Sequence, residues 1–266
     1  MDRTADFGID LTLRDDGVVT LVLRNRGRLN AVRLEMWQDI PKLLAVLAAE
    51  PDLRVVVLRG DGTEAFASGA DISEFTTHRK DASSASAYEA HTARAFDALL
   101  AFPKPIVAVI HGVCIGGGLA LAACADLRLA ADDARFAVPA ARLGLGYHLA
   151  GVERIVQLVG PSAAAEIFFT ARQYSAAEAL RIGLVNQVTP AADLDGFAAR
   201  YTAGIAANAP LTILAAKRAI REVLAAPERR DPAAVARLIA DCFSSADYAE
   251  GVCAFLEKRK AAFRGA

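Results

Sequence analysis

Residues 111–119 read His-Gly-Val-Cys-Ile-Gly-Gly-Gly-Leu, with three successive glycines at the join of two apolar segments. The run Pro105-Ile-Val-Ala-Val-Ile110 ahead of them predicts a buried strand. The small apolar residues from Gly118 to Cys124 predict a buried helix. Gly116, Gly117 and Gly118 therefore fall where a strand turns into a helix N-terminus. Backbone N–H groups there lack intrahelical partners, and the helix dipole adds partial positive charge. With no side chains in the way, a ligand can reach those donors. The loop reads as a cradle for a bound phosphate or for an oxyanion that forms during reaction. A glycine run that only lets a helix pack closely on a strand is the alternative. Neither G-x-x-x-x-G-K-[ST] nor G-x-G-x-x-G is present, so the phosphate-loop and dinucleotide fingerprints are excluded.

The 266 residues suit one large domain or a domain with an appendage, and 54% hydrophobic residues supply an extensive core. A net charge of −1, with no basic stripe along a helix, argues against a nucleic-acid partner. The apolar runs are shorter than the roughly 18 residues of a membrane span, and residues 1–6 lack a signal-peptide core, so a cytoplasmic protein without a membrane partner is expected. Cys114, Cys124, Cys242 and Cys253 show no C-x-x-C spacing and the four histidines no H-E-x-x-H. No metal site is expected.

Residues 10–14 and 18–23 predict a hairpin around Asp15-Asp-Gly17, and apolar spacing from Arg33 to Ala49 predicts a helix. Residues 54–59 follow as a buried strand. A second small-residue loop, Ala65-Phe-Ala-Ser-Gly-Ala-Asp71, precedes the acidic turn Asp71–Glu74. Residues 76–86 are polar and serine-rich and are expected to form a mobile segment at a pocket mouth. A helix runs from there to about Leu100, and residues 126–130 predict another strand. Alternating strands and helices imply an α/β layout with a largely parallel sheet, whose ligands bind beyond the carboxyl ends of the strands. The loops at Gly69 and Gly116 both lie at such ends, so each could aim one N–H at a common point. After residue 188 only helices are expected, over 193–225 and 232–264. The division is a core at 1–190 and a helical region at 191–266.

Several motifs resemble the crotonase (enoyl-CoA hydratase/isomerase) superfamily. They are Ala65-Phe-Ala-Ser-Gly-Ala-Asp-Ile72, Pro103-Lys-Pro-Ile-Val-Ala108, His111–Gly118, Pro139-Ala-Ala-Arg-Leu-Gly144, Glu178–Val185 and Phe255-Leu-Glu-Lys-Arg-Lys260. The resemblance implies a spiral of ββα units with a C-terminal α-helical trimerisation region, and a homotrimer or dimer of trimers. It implies an acyl-CoA substrate whose thioester enolate is held by two backbone N–H groups, with no cofactor beyond the coenzyme A of the substrate. By matching motifs the two donors are Ala70 and Gly117. Ser68, Ala70, Asp71 and Ile72, with the backbone of Arg28 and Leu29, match segments that contact CoA. Phe255 and Lys258 match C-terminal positions that reach CoA, often across a subunit boundary.

Hydratases of the family carry one glutamate after the glycine run and another after a proline. Here those places hold Ala120 and Ala140. Alanine neither holds a water nor moves a proton, which puts hydration by the usual residues in question. Tyr147 matches a tyrosine of a family decarboxylase, and His148 matches a functional aspartate of dienoyl-CoA isomerases. Both are candidate catalytic groups, against the simpler readings of a pocket wall and a solvated loop residue. Glu153, a turn into the next helix, either enters the pocket or lies on the helix face. The resemblance leaves three readings: an acyl-CoA lyase or isomerase acting through an enolate, a decarboxylase of the methylmalonyl-CoA type using Tyr147, and a CoA-thioester-binding paralogue without catalysis.

Overall fold

The computed structural model describes residues 6–266, except Arg79, His148 and the side chains of Thr76 and Ala82. In chain order the elements are β1 (Phe7–Leu13), β2 (Val18–Asn25), α1 (Leu34–Ala49), β3 (Val55–Gly60), β4 (Ala65–Ala67), α2 (Phe75–His78) and α3 (Ala82–Ala101). There follow β5 (Ile106–Ile110), β6 (Val113–Ile115), α4 (Gly117–Ala123), β7 (Leu127–Ala131), β8 (Arg135–Ala137), α5 (Ala140–Leu143) and α6 (Leu149–Thr170). The chain ends with β9 (Tyr174–Ser175), α7 (Ala176–Arg181), β10 (Gln187–Thr189), α8 (Leu194–Ala206), α9 (Pro210–Leu224), α10 (Pro232–Ser244) and α11 (Ala246–Leu256).

Among the described residues the strands divide between two sheets. Six form a sheet in the order β1-β2-β3-β5-β7-β10, antiparallel at β1–β2 and parallel beyond. Four short strands form a second sheet, β4-β6-β8-β9, parallel except at β9. Each of β3–β4, β5–β6 and β7–β8 sends its first strand to the large sheet and its second to the small one before a helix follows. This is a spiral of ββα units, as the resemblance implied. The largely parallel sheet expected from the alternation is the six-stranded one, and the small second sheet is an addition to it. Three-residue strands of small side chains carry too little periodicity to be separated from loop.

Strands with both faces covered read as unbroken apolar runs. In β3 and β5, Val56, Leu58, Ile106, Ala108 and Ile110 face the main core with Trp37, Phe66, Leu119 and Phe136. Their neighbours Val55, Val57, Val107 and Val109 face the opposite way, under Leu194 and Ala198 of α8. A fully buried Val or Ile contributes roughly 1.5–3 kcal/mol, so these two layers dominate the stability of the sheet.

Two local expectations change. The described part of the 76–86 stretch is largely helical: α2 ends at His78, and α3 starts from a capping box in which Asp81 accepts the Ser84 N–H at 2.8 Å and the Ser84 hydroxyl accepts the Asp81 N–H at 3.2 Å. The serine-rich run is a helix start. The helix expected over 232–264 breaks at Ser245, whose hydroxyl caps α11 by accepting the Tyr248 N–H, and it ends at Leu256. Among the described residues no helix is long and apolar enough to cross a membrane.

Candidate active site

β4 and β6 are parallel neighbours, so the loops that leave their carboxyl ends emerge side by side. Gly116 follows β6 at φ 54° and ψ −119°, a conformation that side chains oppose, and α4 starts at Gly117. A Cβ on Gly118 would lie 2.4 Å from the Ala67 carbonyl oxygen, so a glycine is needed for α4 to sit this close to β4. Gly117 is different. A Cβ there would meet Ala70 N and Trp37 Cζ2 at 3.4 Å, which the packing tolerates, but the methyl would stand in front of the Ala70 amide.

The Ala70 amide is aimed by a bridge to Val32. Val32 N–H donates to Gly69 O at 2.7 Å and Asp71 N–H donates to Val32 O at 3.1 Å. Alternate residues of an extended chain point to opposite sides, so the N–H of Ala70 turns away from Val32 and towards α4. Gly117 is the first residue of its helix and has no intrahelical acceptor for its own N–H. Among the described residues neither N–H is engaged by a protein acceptor. Two donors from separate ββα units thus flank one open point.

The cleft around that point holds about 130 Å³. Its deep wall is aromatic: Trp37, Tyr88 and Phe96 are buried, the Trp37 ring meets Phe96 edge-on at 5.7 Å, and Trp37 Nε1 donates to the Tyr88 hydroxyl at 2.9 Å. Val138, Ala140, Leu143 and Leu145 line the other side, and Ile72 and Phe75 also border it. No described residue of this lining carries a carboxylate, ammonium, guanidinium or imidazole. Such a space favours an apolar group in its depth and leaves the two amides as the main poles for a developing negative charge.

Of the residues singled out in the sequence, Ser68, Ala70, Ile72, Gly117 and Tyr147 come together on this cleft. Arg28 and Leu29 lie at its rim, stitched to the same loop: Ser68 donates its hydroxyl to Arg28 O and its N–H to Leu29 O, both at 3.0 Å. Leu29 is held at φ 49° and Asn30 at φ 55°, and the Asn30 amide side chain fixes that turn by donating to Asp61 O and Ala65 O. Asp71 is buried behind the loop rather than open to a ligand. Burial pushes its carboxyl up, but the hydroxyl and N–H of Ser73, the Asn25 amide and the charge of Arg28 hold it below the usual carboxylate range.

Tyr147 donates its hydroxyl to Gly116 O at 3.2 Å and packs edge-on against Phe168 at 5.1 Å. His148 lies outside the described residues. Of the two alanines that replace glutamates, Ala140 lines the cleft, whereas Ala120 is buried within α4 and does not. Glu153 lies on the helix face: it is exposed, accepts a hydrogen bond from Gln157 and borders a different groove with Lys217. Phe255 and Lys258 are exposed at the end of α11 and are not brought to the cleft of their own chain. Trp37, Tyr88, Thr92, Phe96 and Phe75 were missed as lining residues. Trp37 on α1 and Tyr88, Thr92 and Phe96 on α3 follow the same helical spacing as core positions, Phe75 starts the short α2, and nothing local marks a wall of a cleft.

A family model described as enoyl-CoA hydratase/isomerase matches residues 14–266. The chain is 31% identical over 252 residues to the short-chain-enoyl-CoA hydratase of Clostridium acetobutylicum, covering 94% of this chain and 96% of that one. It is 31% identical over 250 residues to the crotonyl-CoA hydratase of Syntrophomonas wolfei, with coverages of 94% and 95%. Among solved structures, an enoyl-CoA hydratase/carnithine racemase from Magnetospirillum magneticum superposes with a TM-score of 0.91 at 37% identity, over 97% of this chain and 96% of that one.

Proposed function

The chain belongs to the enoyl-CoA hydratase/isomerase family, and on that footing we propose that it processes an acyl-CoA thioester by holding the thioester oxygen between the N–H groups of Ala70 and Gly117. The observation that carries this reading is the meeting of those two amides at the head of an apolar, aromatic-floored cleft. When Cα carries negative charge, the thioester oxygen shares it as an enolate. Donors already aimed at that oxygen lower the barrier, each by about 3 kcal/mol. The rim segments 28–29 and 68–72 are the proposed seat of the CoA moiety.

Hydration needs a group that positions water and another that delivers a proton, and Ala120 and Ala140 can do neither. Each missing group costs on the order of 10²–10⁴-fold. A second reading is favoured by the wall of Ala140, Leu143 and Leu145, which sets no negative charge against a carboxylated acyl chain. In decarboxylation the bond from Cα to the carboxylate breaks, CO2 leaves, the electron pair enters the enolate, and solvent then protonates Cα. No side-chain base is required. Several copies of the chain are proposed to assemble as a trimer or dimer of trimers, which would cover the exposed Ile220, Val223, Phe243, Val252 and Phe255.

The test is calorimetric titration with butyryl-CoA beside turnover assays on crotonyl-CoA and methylmalonyl-CoA. Binding, with hydration at least about 100-fold below that of a two-glutamate relative, is expected. CO2 release selects the decarboxylase reading, and binding without turnover selects the binding paralogue. Absence of any acyl-CoA binding overturns the proposal.

A further inference from the structure

Gly116 and Gly117 share one peptide unit, and in a trans peptide the C=O and N–H point in opposite directions. The N–H end of this unit is the proposed oxyanion donor. Its C=O end accepts hydrogen bonds from the Ala120 N–H at 3.0 Å and from the Tyr147 hydroxyl at 3.2 Å. With glycine on both sides, rotation of this plane meets little steric resistance. Its direction is set by what binds the carbonyl.

The Tyr147 ring is itself held in place. It packs against Phe168 at 5.1 Å, and a Cβ on Gly151 would lie 2.7 Å from Tyr147 Cε1, so the ring lies directly over that glycine. A phenol fixed this way presents its hydroxyl to the Gly116 carbonyl.

We infer that Tyr147 is a positioning residue for the oxyanion site: by donating to Gly116 O it fixes the plane of the 116–117 peptide and polarises it, so that the Gly117 N–H is aimed and strengthened as a donor. Hydrogen bonds in a chain polarise one another, so a proton donated at the carbonyl end makes the N–H at the other end a better donor. Tyr147 thereby acts through Gly117 and exchanges no proton with the substrate. This inference rests on the reading that Ala70 and Gly117 hold the thioester oxygen.

The readout is the infrared carbonyl stretch of butyryl-CoA labelled with ¹³C at the thioester carbon, free and bound to the full-length protein. Binding to the wild type is expected to lower the frequency. In Tyr147→Phe much of that shift is lost, with the dissociation constant little changed. Gly151→Ala is the second variant. Alanine is favourable in a helix, and its methyl pushes the tyrosine ring aside, so it should lose the shift while keeping the hydroxyl. A full wild-type shift in both variants overturns the role of Tyr147 alone, and a full shift combined with collapsed turnover assigns it proton transfer instead. Binding to the wild type with no shift removes the oxyanion reading itself, and the present inference with it.

Discussion

Glu74 accepts the backbone N–H of Leu34 at 2.9 Å, so the loop that carries the Ala70 amide also caps the first turn of α1. Its other oxygen takes the Arg33 Nε at 2.9 Å, and its side chain is only 6% exposed. The capping residue of α1 comes from a segment remote in sequence, because Arg33 at the N-cap makes no side-chain capping bond. An anion at this helix end is also favoured by the helix dipole.

Glu74→Ala should therefore lower stability by about 2 kcal/mol and weaken acyl-CoA binding together, because one carboxylate serves both the helix and the loop. Glu74→Gln keeps an acceptor for Leu34 and should lose less than half as much. Urea unfolding read beside calorimetric titration checks this. A stable Glu74→Ala protein with unchanged affinity would separate the cap from the site.

Ala140 is the first residue of α5 and, although buried, it lines the cleft, so a carboxylate placed there can extend into the cleft space. Ala140→Glu is expected to raise crotonyl-CoA hydration by at least about tenfold, since general acid–base groups contribute on the order of 10²–10⁴-fold and only one of two is restored. Ala120→Glu should instead destabilise the fold, because that position is buried within α4. Equal and unchanged hydration in Ala140→Glu and the wild type would count against the cleft as the site of this chemistry.

Lys217 of α9 reaches the amino end of β5, where its Nζ donates to Asp126 Oδ2 at 2.6 Å and Lys104 O at 2.7 Å. Burial pushes its pKa from the ordinary 10.5 down to about 8, against the pull of Asp126. The unfolded chain keeps this proton up to about 10.5, so between pH 8 and 10.5 it binds more protons than the folded chain and stability rises with pH. Below pH 8 both states are protonated and the full cost of the buried charge remains. Compared with Lys217→Met, the wild type should gain about 3 kcal/mol across that window. Parallel pH curves in urea unfolding would refute the burial of a charged amine.

The large sheet was legible because Val55–Leu58 and Ile106–Ile110 are apolar at every position, which few environments other than a doubly covered strand accept. The glycine loop was legible for a different reason: Gly116 and Gly118 answer to backbone geometry. The small sheet was not, since β4, β6 and β8 span three residues each and depend on pairing that a linear reading does not contain. Side-chain direction was also out of reach. Glu153 and Tyr147 stand close in sequence, yet one faces a second groove and the other the cleft, and Glu74 caps a helix distant from it along the chain.

Ala70 and Gly117 occupy equivalent places in successive turns of the spiral, so the gap between their amides is the pitch of the fold measured at one point. Anything that alters that pitch acts on the gap, however far from the cleft it lies. The contact of Gly118 against Ala67 sets the spacing most directly. A bulkier residue at Ala67, hidden between strand and helix, would detune the enzyme as a thickened washer detunes a screw thread, with every residue of the cleft still in place.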